Sequence, residues 1–206
     1  MDRGIGGAVD GLTRTPDYIV GMHDSLWTAA TQHPFLDAVR DGTISAAAFD
    51  RWLAQDVLFV TDLLTFQARL LARVPRAAQN VVAGGCVALV AELDWFDVKA
   101  AERGLDVTVD ALPATLSYRE LLTRLDSESA DAALTALWAI EKVYLLAWSH
   151  ARSDGSPFAE FVEHWTVPEF AAYVEGLEQV AAPSHHDDLV RAVLEHEIAF
   201  WDMALD

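Results

Sequence analysis

Residues 33–56 read HPFLDAVRDGTISAAAFDRWLAQD, and the fold is decided there. Asp41-Gly42 forms a turn, and Ser45 is a ready N-cap for the segment that follows. Phe49, Trp52, Leu53, Phe59, Val60 and Leu63 then recur at helical spacing, which turns one apolar stripe inward. Asp56 falls on that stripe. A bare carboxylate in a low-dielectric interior is costly, so Asp56 must be paired, hydrogen-bonded, ligated or protonated.

The anomaly recurs along the chain. Glu92 sits among Ala88, Leu89, Trp95 and Phe96; Glu141 among Leu137, Trp138, Tyr144, Leu145 and Trp148; Glu197 among Val190, Val193, Leu194, Phe200 and Trp201. One such acid is ordinarily a helix-edge group that reaches solvent. Four, one on each long helix, point to a shared polar pocket.

Outward from this stretch the pattern stays helical. Residues 1–15 are Gly-rich and aperiodic and read as a flexible tail, and 16–206 read as a single domain. Helices are predicted from Pro16 to the His33-Pro34 break, then over 45–73, 76–103, 116–125, 130–152, 158–165, 168–180 and 185–204. A short segment runs through Val39, a bend is expected at Gly84-Gly85, and a loop at 106–115. Strand signals and internal repeats are absent, which gives an all-α bundle of about eight helices.

Composition narrows the function. A hydrophobic content of 52% over 206 residues supports one sizeable core. With 14 basic and 32 acidic residues the formal charge is −18, a field that repels phosphate backbones and anionic lipid, so nucleic acid and membrane surfaces are not expected partners. The longest apolar run, 81–91, is about half of the roughly 20 residues a membrane span needs. A single cysteine, Cys86, excludes an internal disulfide framework, and the first residues lack a signal-peptide pattern, so a cytoplasmic protein is expected.

Four inward carboxylates in a bundle raise the question of a di-metal centre. Ferritin-like centres place a histidine three residues after a glutamate, on the same helix face. Here those positions hold Trp95, Tyr144 and Phe200, while His150, His164, His185, His186 and His196 read as lying elsewhere. No metal and no cofactor is expected.

A series of landmarks in order, Trp27, His33-Pro34-Phe35, Asp41-Gly42-Thr43-Ile44, Phe49, Gln55-Asp56, Ser117-Tyr118, Phe170, and Glu197 with Phe200-Trp201, resembles the TenA and thiaminase II family. That family shares the haem-oxygenase-like helical fold with the quinone-cofactor synthase PqqC. The resemblance spans nearly the whole chain. It implies that Asp56 binds an aminopyrimidine ring, that Tyr118 lines the pocket, and that Glu197 is the acid or base. A carboxylate suits such a ring, since it can accept from the exocyclic amine and contact a protonated ring nitrogen. Phe59, Tyr144, Trp165 and Glu92 complete the expected substrate-binding set. The resemblance also implies a homodimer or homotetramer, with Leu105, Val107, Val109 and Leu112 as a contact or as a flap on the chain's own core.

The departures from the family are specific. The catalytic cysteine of the thiaminase II branch falls at Ile140, followed by Glu141; a tyrosine near Asp56 is replaced by Phe59, and one before Phe170 by Trp165. This is similar to the cysteine-lacking branch called TenA_E, associated with salvage of thiamin-derived pyrimidines and removal of a formyl group. Cys86 reads as a buried inert thiol. The expected activity is hydrolysis of an aminopyrimidine or formylaminopyrimidine by water activated on Glu197 or Glu141, with Tyr118 donating to the developing oxyanion. Two alternatives stay open: a PqqC-like or di-iron oxygenase or oxidase on the same fold, and a non-catalytic ligand-binding regulator.

Overall fold

A computed structural model describes residues 23–182 and 185–205. The expected tail 1–15 and the start of the first helix at Pro16 lie outside the described residues. Among the described residues there are nine helices and no strand: α1 Asp24–Thr31, α2 Pro34–Arg40, α3 Ala46–Leu71, α4 Arg76–Arg103, α5 Pro113–Leu125, α6 Ala130–His150, α7 Ala159–His164, α8 Pro168–Glu178 and α9 Asp187–Leu205. The segment through Val39 is itself the short helix α2. No helix among these residues is long and apolar enough to cross a membrane.

Local chemistry sets the helix ends. Ser45 Oγ accepts from Ala48 N–H at 3.1 Å, Ser129 Oγ accepts from Ala132 N–H at 3.2 Å, and His33 Nδ1 takes the same role for Phe35 N–H at 3.2 Å. Gly104, at φ 63°, closes α4 in the left-handed conformation that favours glycine. The expected loop at 106–115 is shorter than its composition suggests. Pro113 opens α5 instead of preceding it, because proline's fixed φ and missing N–H suit the first helical position.

Gln55 ties that loop down. Its amide donates to Asp110 O at 3.0 Å and accepts from Leu112 N–H at 2.9 Å and Thr115 Oγ at 2.7 Å. Leu105 and Leu112 pack against the core, while Val109 is exposed.

Four helices form a ring in which α3 packs on α4, α4 on α8, α8 on α6 and α6 on α3. Below the ring Trp52 is fully buried among Phe35, Trp148, Trp165 and Trp201, with ring centroids 5.1–5.8 Å apart. Trp201 Nε1 donates to Ala30 O at 2.9 Å and links α9 to α1. This aromatic floor is rigid, since large rings in tilted and stacked contact leave few alternative rotamers.

At Gly84-Gly85, where a bend is expected, α4 runs on without a break in the helix. The two glycines differ in surroundings. A Cβ at Gly84 would meet open space, whereas one at Gly85 would overlap the side chains of Gln67 and Tyr173. Gly85 therefore lets α3 and α8 approach α4. Gly84→Ala should raise stability by about 0.5–1 kcal/mol through helix propensity, and Gly85→Ala should lower it and displace Tyr173. Thermal unfolding of the two variants checks both signs.

Candidate active site

The ring of α3, α4, α6 and α8 encloses a cavity of about 650 Å³. Phe59, Ile140, Tyr144, Trp165 and Phe170 give it aromatic and aliphatic walls; Glu92 and Glu141 enter it as carboxyls, and a third lining acid, Glu169, is solvent-exposed. Asp56, Tyr118 and Glu197 lie one layer deeper, behind Tyr144 and Phe59. Tyr144 donates its hydroxyl to Asp56 Oδ2 at 3.1 Å, and Phe59 contacts the Tyr118 ring at 4.6 Å between centroids.

All four acids are turned inward, and each meets an aromatic donor. Asp56 has Tyr144; Glu197 Oε1 accepts from the Tyr118 hydroxyl at 2.6 Å; Glu141 bonds Tyr173; Glu92 accepts from Trp165 Nε1 at 2.7 Å and pairs with His164 Nε2 at 2.6 Å. The Tyr118 hydroxyl, expected to face an oxyanion, is thus committed to Glu197 in this structure.

Two of these partners escape sequence reading. His164 sits on α7, 72 residues from Glu92, and its ring lies flat on Trp95 at 3.8 Å and 5°. The expectation that the histidines lie away from the acids is therefore wrong for His164, because the pairing crosses helices and leaves no mark at i+3. Tyr173, on the short helix α8, is fixed by Gln67 Nε2 at 3.0 Å, and the same amide donates to Val82 O at 2.9 Å. Among the described residues no three of His, Cys, Asp and Glu come together as metal ligands.

Burial governs the protonation of these groups. Glu141 is pushed up to about 8, first by desolvation and then by the charges of Glu197 and Glu92, with Tyr173 opposing. Glu197 is pushed up to about 7 by desolvation, partly offset by the Tyr118 hydrogen bond. Asp56 is held well above the carboxylate range by desolvation and by Glu92 and Glu197, against the Tyr144 bond. Near neutral pH Glu141 in the cavity wall and Glu197 one layer behind it therefore offer both a neutral and an ionisable carboxyl, the arrangement that acid–base chemistry needs. Cys86 is half-buried on α4, does not line the cavity, and has its thiol pushed up by burial, which disfavours the reactive thiolate. Ile140 lines the cavity one residue before Glu141.

The model of the TENA/THI-4/PQQC family matches residues 22–206. The chain belongs to this family. A soybean (Glycine max) relative named as a probable bifunctional TENA-E protein is 34% identical over 205 residues, covering 88% of this chain and 89% of that protein. The crystal structure of a TenA homologue from Pyrococcus furiosus superposes with a TM-score of 0.86 at 28% identity, covering 91% of this chain and 98% of that one. A putative TenA-like thiaminase from Sulfolobus solfataricus, at 16% identity and a TM-score of 0.81, shares the fold. The fold is the haem-oxygenase-like bundle of TenA proteins, and family membership supports a thiamin-related function.

The raised carboxyls carry a stability consequence. The native state keeps Glu141 and Glu197 protonated to higher pH than the unfolded chain does. The stability of the neutral forms is complete below about 4.5 and is lost as pH rises through about 7 and about 8. The melting temperature should fall by at least about 3 °C between pH 6 and pH 9. Glu141→Gln and Glu197→Gln should each flatten that fall when measured by calorimetry across the same range.

Proposed function

We propose that this protein is a hydrolase of thiamin-derived pyrimidines, acting on an aminopyrimidine or formylaminopyrimidine with carboxylate-activated water. The observation that carries the reading is the pair Glu197 and Glu141, buried in one aromatic-walled site with values pushed up to about 7 and about 8. Both lie close to neutral pH, where proton transfer in either direction is cheapest. The soybean relative's name, which places it in the TENA-E group, supports the same class.

The walls and acids divide the work. Asp56 accepts from the exocyclic amine and meets the ring nitrogen of the pyrimidine, for which Tyr144 swings its hydroxyl away from Oδ2. Phe59 and Trp165 flank the ring as apolar faces. With a formylated side arm, water attacks the formyl carbon while Glu197 takes its proton. The carbon–nitrogen bond then breaks, Glu141 protonates the departing nitrogen, and formate and the free amine leave. With an aminomethyl side arm, water replaces ammonia at the methylene carbon by the same proton exchange. Neither step calls for a thiol. Ile140, where the family resemblance puts the thiaminase cysteine, offers no nucleophile, so thiamin itself is a poor substrate.

The reading also takes the assembly to be a homodimer or homotetramer of cytoplasmic subunits. An apolar stripe on the outer face of α4, with Val87, Val90 and Val98 more than half exposed, supports such a contact.

Turnover of thiamin, aminopyrimidine and formylaminopyrimidine by the purified protein tests the reading. We expect hydrolysis of one or both simpler pyrimidines, a bell-shaped pH profile whose limbs belong to the coupled pair near 7 and 8, and little thiamin cleavage. Glu197→Gln should cost about 10²–10⁴-fold in kcat, and Asp56→Asn should abolish pyrimidine binding in calorimetry while the protein stays folded. Robust thiamin cleavage that disappears in Cys86→Ala would overturn the assignment.

A further inference from the structure

The cavity is larger than the proposed chemistry requires. Pockets of about 300–1,000 Å³ hold drug-sized ligands, and about 650 Å³ leaves room beyond one pyrimidine ring and a formyl group. Exposure orders its acids by depth. Asp56 and Glu197 are 1% and 3% exposed, whereas the side chains of Glu92 and His164 are 16% and 32% exposed. With the ring held at Asp56 and the reacting bond at Glu197, both behind the wall, the rest of a larger substrate occupies the cavity that Glu92 lines.

Glu92 is built to receive something. Trp165 Nε1 holds Oε1 and His164 Nε2 holds Oε2, while the stack of His164 on Trp95 fixes the imidazole in turn. Each carboxylate oxygen has a second lone pair, so the clamp orients Glu92 without exhausting it. Among the described residues that line the cavity there is no lysine or arginine to neutralise it. The field of Glu92 reaches inward, raising both Asp56 and Glu141.

We propose that Glu92 is a specificity-determining residue that binds an ammonium group on the acyl portion of the substrate, so that the enzyme hydrolyses aminoacylated aminopyrimidines as well as formylated ones. His164 is the positioning residue, which aims the Glu92 carboxylate from the neighbouring helix. The reaction balances as the deformylation does: water adds to the aminoacyl carbonyl carbon, the amide carbon–nitrogen bond breaks, the pyrimidine amine takes the proton, and an amino acid leaves in place of formate. This substrate class rests on the pyrimidine hydrolase reading, and its test separates the two.

Formyl, acetyl and glycyl derivatives of the same aminomethylpyrimidine are compared by kcat/KM. Glycyl differs from acetyl by one ammonium group, and an ionic hydrogen bond in a half-buried site gives a preference of about tenfold or more. Glu92→Gln should erase the glycyl-over-acetyl preference, a ratio taken within one variant and so independent of any general change in turnover, and its thermal unfolding reports that the protein is folded. His164→Ala should reduce the preference. His164→Gln, whose amide reaches the place of Nε2 and can still donate to Glu92, should restore it. Equal turnover of glycyl and acetyl derivatives by the wild type overturns the inference alone, as does a preference that survives Glu92→Gln. Failure of the wild type to turn over or bind any of the three, the formyl derivative included, overturns the hydrolase reading and this inference with it.

Discussion

A carboxyl group buried in an aromatic bundle is the constraint on which the rest of this structure depends. Each inward acid is accommodated in the same way, by a tyrosine hydroxyl or an indole or imidazole N–H brought from another helix: Tyr144 for Asp56, Tyr118 for Glu197, Tyr173 for Glu141, Trp165 and His164 for Glu92. Because every donor comes from a different helix than its acid, the pairs also fix how α3 to α9 sit on one another. Removing one partner would leave a buried group unsatisfied, which costs more than the bond itself contributes.

The same constraint produces the chemistry. Donation by a single aromatic group does not offset desolvation, so Glu141 and Glu197 stay above the ordinary carboxylate range. An interior that resists charge holds carboxyls near neutrality, where one can accept and the other release a proton. The bundle sacrifices some stability at alkaline pH for this poise, a common exchange at functional sites. Gly85 shows how closely the surrounding helices are fitted to it, since the absent Cβ is what admits Tyr173 and Gln67.

Most of the fold is legible in the sequence because apolar periodicity, serine caps and prolines act locally. Ser45 and Ser129 cap where they stand, and Pro34, Pro113 and Pro168 occupy first turns. The errors arise where a local signal has two meanings. Pro113 reads as loop but opens a helix, and the glycine pair 84–85 carries no local sign that Gly85 provides a close approach. The acids of the site were visible as breaks in the apolar stripes. Their partners Tyr173 and His164 were not, since a pairing across 72 residues between Glu92 and His164 leaves no periodic trace, and Tyr173 lies on a short helix with a weakly amphipathic pattern.

The central claim, that two buried glutamates, Glu141 in the cavity wall and Glu197 one layer behind it, are held protonated into the neutral range, is tested most directly by infrared titration of the protonated-carboxyl stretch. The account expects such a band at pH 6, to which Asp56 also contributes, with the part carried by Glu197 and Glu141 lost as pH rises through about 7 and about 8. Glu141→Gln and Glu197→Gln should each remove part of that loss, and Glu197→Gln should also lower the midpoint of the Glu141 component that remains. Absence of any protonated-carboxyl band at pH 6 would mean that both groups are already ionised in the native state, and would contradict the account.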